Sequence, residues 1–318
     1  MTRQAITTVK TVVERIDEGG SGIKVLTLVD PDHWELPPFV ACAHIDLHLP
    51  NRLVRTYSLC NDPADNARYV VAVKREDQGR GGSIALHDQV RVGDTIGVSL
   101  PRGGLALAAP AARYIFVAGG IGVTPFLSAA LQMRRTGQAN FRLHVVARGA
   151  MPLARQLAPL LAEGYIVRHD TRETGRPDIA ALLGEVREDT MIGCCGPATM
   201  IADFERAARD WPAANVHIER FVPPPLALDP NARPYTLVLA RSGAEIDVRA
   251  GQTMLSALED FGVEVSSSCC GGICGACKVG WVEGKPVHRD RVLSPYERER
   301  FLMACVAGSE SERLVLDL

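Results

Sequence analysis

Ser268-Cys269-Cys270-Gly271-Gly272-Ile273-Cys274-Gly275-Ala276-Cys277, followed later by a lone Cys305, contains C-x4-C-x2-C and a distant fourth cysteine. That spacing is the one recognised for plant-type [2Fe–2S] clusters. Glycine has a separate physical reason to be here. Backbone N–H groups must point inward at sulfur, and a chain wrapping a compact group needs positive φ and no obstructing Cβ. Gly271, Gly272 and Gly275 meet that need. The rival is a structural zinc site, but such sites usually combine two short cysteine knuckles, whereas three cysteines here share one loop. Cys270 leaves the ligand set open, because Cys270-x3-Cys274 is an alternative spacing. Assigning Cys269, Cys274, Cys277 and Cys305 preserves x4 and leaves Cys270 beside the cluster or simply packed.

Outward from the loop, Lys278–Glu283 reads as a strand, preceded by a helix over Thr253–Phe261 and strands over Tyr235–Ala240 and Ala244–Val248. Before these lies Phe221–Pro234, with five prolines in fourteen residues. Such a run cannot continue a helix or central strand and reads as a semi-rigid linker. Residues 235–318 are therefore expected to form a separate β-grasp-like, plant-type ferredoxin domain, joined by a linker at 223–234. Cys42, Cys60 and Cys194 have no ligand-like neighbours and read as small buried hydrophobes.

Upstream there are two further rhythms. Phe39–Pro50 alternates, with Ala43, Ile45, Leu47 and Leu49 on one side and His44, Asp46 and His48 on the other, the period of a half-buried strand. Further short strands are expected at Arg55–Leu59, Tyr69–Lys74 and Thr95–Val98, so residues 1–108 predict an antiparallel β-barrel. After Pro110 apolar runs alternate with helical stretches: strands at Tyr114–Ala118, Phe141–Ala147, Tyr165–Val167 and Met191–Cys195, helices at Thr124–Arg135, Leu153–Leu161 and Ala198–Trp211. Residues 109–222 thus predict an α/β domain with a parallel sheet of the nucleotide-binding type. The whole is a multidomain chain.

Composition agrees and excludes. The 318 residues suit two or three domains at roughly 150 residues each, and 47% hydrophobic with 23% charged residues is globular. Thirty-five basic residues face 37 acidic ones, a net −2, which offers no general attraction to nucleic acid or anionic membranes. No secretory signal or span of apolar residues long enough for a bilayer stands out, so a cytoplasmic, monomeric protein without a membrane partner is expected. In a reducing compartment the nine cysteines are not a disulfide framework.

Arg55-Thr56-Tyr57-Ser58-Leu59, Gly81-Gly82-Ser83, Gly119-Gly120-Ile121-Gly122-Val123-Thr124-Pro125, Cys195-Gly196-Pro197 and the cysteine loop occur in this order along nearly the whole chain. Together they resemble the phthalate dioxygenase reductase family, which includes vanillate demethylase reductases. The resemblance implies a ferredoxin–NADP reductase-like body fused to a ferredoxin, carrying FMN and passing electrons from NADH to a Rieske-type oxygenase. It places Arg55 and Lys74 toward the FMN phosphate, Tyr57 along the flavin and Ser58 near its N5, with Thr56 and Ala72 in the same cofactor-binding set. It also puts Thr124 between flavin and nicotinamide, Cys195 with Gly196 and Pro197 beside the nicotinamide, and Phe221 near the flavin. Ser58, Thr124 and Cys195 are the catalytic candidates.

The residues support parts of this independently. Ser83 after Gly81 and Gly82 reads as the start of a helix whose N–H groups face phosphate. Gly120 and Gly122 lie between a strand and a helix, where glycine admits a dinucleotide, although the pattern is not GxGxxG. Thr124 is expected to cap that helix with Pro125 in its first turn. Asp170 is the candidate acid for the ribose hydroxyls of NADH, Arg148 a further nucleotide contact, while Arg168 and Arg172 flank Asp170 and speak for NADPH. The alternatives are a reductase for another acceptor, such as a diiron monooxygenase, and a non-enzymatic module holding structural zinc. Hydrolysis finds no catalytic spacing.

Overall fold

The computed structural model describes residues 8–50, 53–107, 113–222 and 233–318. The chain divides into two compact units, Met1–Phe221 and Val222–Leu318. Most of the linker expected at 223–234, and the expected boundary near residue 108, lie outside the described residues.

The first unit begins with β1 (Thr8–Glu18), β2 (Ile23–Val29), β3 (His44–His48), β4 (Val54–Ser58), β5 (Tyr69–Lys74), α1 (Gly82–Asp88) and β6 (Thr95–Ser99). These strands form one antiparallel sheet in the order β4-β3-β6-β1-β2-β5. A bridge between Leu59 and Val71 joins its two edges and closes the expected barrel. Val13, Leu26, Leu28, Ile45, Leu47, Tyr69, Val71 and Val98 fill it. The sequence pattern disclosed neither β1 nor β2. The pairing of β1 with β2 slips between Val13 and Arg15, and a bulge of this kind breaks the alternation by which strands are recognised. The strand read over Phe39–Pro50 shortens to His44–His48. Asp46, placed on its solvent face by alternation, is 5% exposed, since Arg102 pairs with it at 2.5 Å and the Thr56 hydroxyl donates to it at 2.6 Å.

The same unit continues with β7 (Arg113–Gly119), α2 (Val123–Arg135), β8 (Phe141–Ala147), α3 (Ala154–Ala162), β9 (Ile166–Asp170), α4 (Ile179–Leu183), β10 (Thr190–Cys195), α5 (Ala198–Ala207) and β11 (Val216–Glu219). The parallel sheet runs β11-β10-β7-β8-β9. Its central strand is apolar from Tyr114 onward because both faces are covered: Tyr114, Phe116 and Ala118 pack toward α2, and Ile115 and Val117 toward Phe204 and Trp211. Phe116 stacks on Phe126 at 4.6 Å. Ile23, Val25, Cys42, Cys60 and Ala72 of the barrel belong to the same core as Tyr114, Phe126 and Leu157, which is why barrel and parallel sheet form one unit. Polar ties reinforce the seam: the Leu153 N–H donates to the Gly19 carbonyl at 2.7 Å, the Cys42 thiol to that of Pro125 at 3.3 Å, and Arg135 pairs with Asp62 at 2.8 Å. Cys42 and Cys60 are packed as expected, their thiols pushed up by burial.

On β8 and β9, His144 Nδ1 and His169 Nε2 meet at 3.0 Å. Burial, with His169 and Arg142 nearby, lowers the His144 pKa to about 4. A histidine depressed in the folded state is protonated first in the unfolded chain. Stability is therefore full above about pH 6.5 and drains away as pH falls toward 4, by up to roughly 3 kcal/mol. Urea unfolding at pH 7 and pH 4.5 should show this loss shrinking in His144→Gln. An identical acid slope in the variant would contradict it.

The second unit contains β12 (Tyr235–Leu239), β13 (Glu245–Val248), α6 (Met254–Phe261), β14 (Lys278–Glu283), β15 (Pro286–Val287), α7 (Pro295–Arg298), β16 (Phe301–Met303), β17 (Gly308–Ser309) and β18 (Arg313–Leu316). Its main sheet runs β13-β12-β18-β14-β16, with β12 and β18 parallel, the mixed order of a β-grasp. The Thr253 hydroxyl caps α6 by accepting the Ser256 N–H, and Gly262 ends it at φ 91. Met254, Leu255, Ala257 and Leu258 of α6 pack onto Leu237, Val248, Leu302 and Leu314. Among the described residues, no helix is long and apolar enough to cross a membrane.

Candidate functional site

In the second unit, the loop after α6 gathers Cys269, Cys274 and Cys277, and the end of β16 delivers Cys305. All four are at most 8% exposed. The Ala304 N–H donates to the Cys277 carbonyl at 3.0 Å and anchors the fourth cysteine against the loop. Cys269 sulfur accepts from the thiols of Cys274 and Cys305 and from the N–H groups of Ile273 and Gly271, which hold it toward the thiolate. Cys274 and Cys305, the donors, are pushed up, while Cys277 is lowered by the Cys305 thiol. Four buried cysteines whose thiols interact with one another, with the Gly271 N–H turned to Cys269 sulfur, would suit a two-iron cluster, which takes four cysteine ligands. Cys270 is exposed at φ 55, so the turn carries its side chain away from the group that Cys269 joins. Burial thus separates Cys269, which lies with the other three cysteines, from Cys270.

Spacing gave no hint of Asp290. Its side chain is 1% exposed; it accepts the N–H groups of Val292 and Leu293 at 3.2 and 2.9 Å and faces Arg298 at 3.4 Å. The next residue, Arg291, donates its N–H to the Gly272 carbonyl at 2.9 Å. A buried carboxylate thus fixes the strand of chain that braces the cysteine loop.

In the first unit, β4 carries Arg55, Thr56, Tyr57 and Ser58. The Arg55 guanidinium donates to the Val54 carbonyl at 2.8 Å and the Arg80 carbonyl at 2.6 Å. It crosses directly over Gly82, where a Cβ would lie 2.4 Å from Arg55 Cγ, and Gly81 turns at φ 78 to begin α1. Gly82 leaves the space that the arginine crosses, and Gly81 supplies the positive φ of the turn. Burial raises the Tyr57 phenol to about 12, against the pull of Arg55. Ser58 and Ala72 are buried at 7% and 5%. Lys74 is half exposed and pairs with Glu76 at 2.5 Å. Ser83 lies inside α1 rather than at its cap; its hydroxyl accepts the Glu76 N–H at 3.0 Å, so it secures the preceding loop.

At the C-terminal ends of the parallel strands, two turns press together. A Cβ on Gly122 would lie 2.3 Å from the Cys195 carbonyl oxygen, and one on Gly196 would lie 3.1 Å from Gly119 Cα. A Cβ on Gly119 would meet Pro197 at 2.6 Å. These glycines serve the contact between the turns. Gly120, at φ 55, has nothing within 4 Å of a Cβ position and is where a ligand has room to approach. The expectation that Thr124 caps α2 is corrected: Gly122 is the cap, and the buried Thr124 hydroxyl donates to the Ile121 carbonyl at 3.1 Å. Cys195 is fully buried, its thiol pushed well up by burial, then by Glu219, Cys194 and Cys42. Glu219, its register partner on β11, was not singled out by sequence reasoning; it pairs with His217 at 2.9 Å and bears on both Cys42 and Cys195. No periodicity could have exposed it, because the neighbourhood joins three separate strand ends.

Asp170 ends β9 and is 6% exposed. Its oxygens accept the N–H of Gly149 at 2.9 Å, the N–H of Arg172 at 3.0 Å and the Arg168 guanidinium at 2.8 Å. These bonds lower its pKa, the backbone donors first. Arg148 is exposed, and Phe221, beyond β11, is 43% exposed.

A barrel joined to a parallel nucleotide-binding sheet, followed by a unit with four converging cysteines, defines a flavin-dependent pyridine-nucleotide oxidoreductase with its own iron–sulfur unit. Residues 237–308 match the 2Fe-2S iron-sulfur cluster binding domain. The chain is 39% identical to phthalate dioxygenase reductase of Burkholderia cepacia, over 92% of this chain and 91% of that one. It is 38% identical to the tert-butanol monooxygenase / tert-amyl alcohol desaturase reductase subunit of Aquincola tertiaricarbonis, over 96% and 95%. A solved structure of phthalate dioxygenase reductase, described as modular for electron transfer from pyridine nucleotides to [2Fe–2S], superimposes with a TM-score of 0.72 at 36% identity, covering 98% of each chain. The chain belongs to the phthalate dioxygenase reductase family. It is an NADH-dependent oxidoreductase that uses FMN and a [2Fe–2S] cluster, the reductase component of an oxygenase system.

Proposed function

We propose that this chain reduces a Rieske-type oxygenase component, working as a monomer in the cytoplasm. In this reading residues 1–108 hold FMN, 109–222 hold NADH and 235–318 hold the cluster, with 223–234 as linker. The observation that carries it is the group of four buried, mutually interacting thiols of Cys269, Cys274, Cys277 and Cys305 within the matched iron–sulfur region. Bound FMN would supply the conversion between the two-electron hydride of NADH and the single electrons that a [2Fe–2S] cluster carries.

The chain's own residues supply place and exclusion. Arg55 and the Gly81-Gly82 turn offer charge and close backbone approach to the FMN phosphate, with Lys74 at the rim. Tyr57 and Ser58 line the ring side of β4, with Thr56 and Ala72 behind them, and Phe221 covers it from the end of the parallel sheet. Nicotinamide is bound beside Thr124 and Cys195, where Gly120 leaves room and Gly122, Gly196 and Pro197 fix the wall. The Cys195 thiol stays protonated there and presents a small, dry surface. The remainder of the dinucleotide lies along the C-terminal ends of β8 and β9, past Arg148 and Asp170, as ligands do on open α/β sheets.

Anaerobic titration of the purified protein with NADH should bleach flavin and iron–sulfur absorbance together. A flavin that fades while the iron centre stays oxidised would defeat this reading. Arg55→Ala should weaken FMN retention by about tenfold, the usual worth of a charge-assisted hydrogen bond. Flavin release through ultrafiltration measures it, and unchanged retention would remove Arg55 from the phosphate.

A further inference from the structure

We propose that His288 and Asp290 are positioning residues for the electron-transfer site: they clasp the segment that braces the cysteine loop, and His288 takes up one proton as the cluster accepts its electron. This rests on the ligand set proposed above.

His288 is the only histidine after Phe221. It follows β15, whose Val287 pairs with Gly308 of β17. From there the chain touches both cysteine-bearing segments. The Arg289 guanidinium donates to the carbonyl of Val306, next to Cys305, at 3.0 Å, and the Arg291 N–H donates to that of Gly272, inside the loop. The fit is close, since a Cβ on Gly272 would lie 2.8 Å from Val306 Cγ2 and 3.0 Å from Asp290 Cα. A shift of residues 288–291 therefore reaches the loop and the residue after Cys305 together.

Asp290, at the middle of this segment, uses one oxygen more than the other. Its Oδ2 accepts the N–H groups of Val292 and Leu293 and faces Arg298, whereas among the described residues Oδ1 has no hydrogen-bond partner. His288 Nδ1 has none either, and it lies 3.7 Å from Oδ1. Both atoms are buried, where polar atoms are ordinarily paired, and 3.7 Å is too long for a hydrogen bond. With no proton on Nδ1, lone pair faces lone pair and the atoms stay apart. One proton there satisfies both. Burial holds the His288 pKa below its ordinary value, while Asp290 pulls it up and the Arg298 guanidinium pushes it down.

Reduction adds one negative charge to the group held by the cysteines, and a nearby negative charge raises the proton affinity of a base. The step balances. The electron is the one NADH supplies by way of FMN, the proton comes from solvent and forms the Nδ1–H bond, and Asp290 stays a carboxylate that accepts from it. By linkage, the site then holds its electron more tightly where protons are plentiful.

Electron paramagnetic resonance of the full-length holoprotein, poised at graded potentials, gives the midpoint of the cluster between pH 8 and pH 5. It should rise toward the acid end. A gain of about tenfold in proton affinity on reduction corresponds to a total rise of ~59 mV for one electron. In His288→Gln and His288→Asn, whose side chains cannot titrate, the midpoint should stay level. The proposal is overturned if the wild-type midpoint is level over this range, or if either variant keeps the wild-type slope. Wild-type protein without an iron–sulfur signal would overturn the ligand set instead.

Discussion

Replacing Cys274 by serine is expected to abolish electron delivery to an oxygenase-type acceptor while NADH still reduces the flavin. Cys274 is 6% exposed and its thiol donates to Cys269, at the centre of the four-cysteine group. Serine is smaller, harder and far less acidic, so it is a poor iron ligand. Residues that merely support a metal ligand typically cost about 10–100-fold when removed, and loss of a ligand itself should exceed that range. On the proposed reading the flavin is held by the first unit, which has its own core, so its reduction should persist. Stopped-flow flavin bleaching beside cytochrome or oxygenase reduction separates the two steps. Acceptor reduction at the normal rate would show that Cys274 holds no iron. Cys270→Ser is the companion measurement: with its side chain exposed and turned away, it should leave the iron–sulfur spectrum intact.

The second large effect is expected at Gly122. A Cβ there would stand 2.3 Å from the Cys195 carbonyl oxygen and 2.6 Å from its carbon, and both are backbone atoms that no rotamer change can move aside. Gly122→Val must part the turn after β7 from the turn after β10. Overpacking of this kind costs about 1–3 kcal/mol, and a misplacement near 1 Å at a reacting pair costs about 100-fold in rate. Hydride transfer to FMN should therefore fall by about that factor, with a lowered melting temperature. Gly120→Ala is the contrast. Nothing stands near its Cβ, and only the strain of φ 55 remains, worth about 1–2 kcal/mol. Equal hydride rates for the two variants would refute the assignment of Gly122 to the contact between turns.

The parts of the fold and site that could be read in advance are those carried by local chemistry. The spacing of Cys269, Cys274, Cys277 and Cys305 and the glycines among them point to iron–sulfur before any coordinates. The apolar run Tyr114–Ala118 identifies a strand covered on both faces. Helices were placed to within a few residues where apolar periodicity was strong, as in α2 and α6, whereas the one expected over Ala198–Trp211 ends at Ala207. Several elements escaped: β1 because a bulge breaks its alternation, β2 because its burial is nearly continuous rather than alternating, and α4 because five residues carry too little periodicity.

Sequence by itself determined the kind of chemistry and the order of the modules, because residue type and spacing decide which groups a loop can hold. Only the tertiary structure decided which of two adjacent cysteines turns inward, that Asp170 is consumed by the loops after β8 and β9, and that Glu219 and Cys42 lie against Cys195. It also decided that barrel and parallel sheet share one core. The reason is that burial, a positive φ and a hydrogen-bond partner far along the chain are properties of packing between distant segments, and no local pattern of residues encodes them.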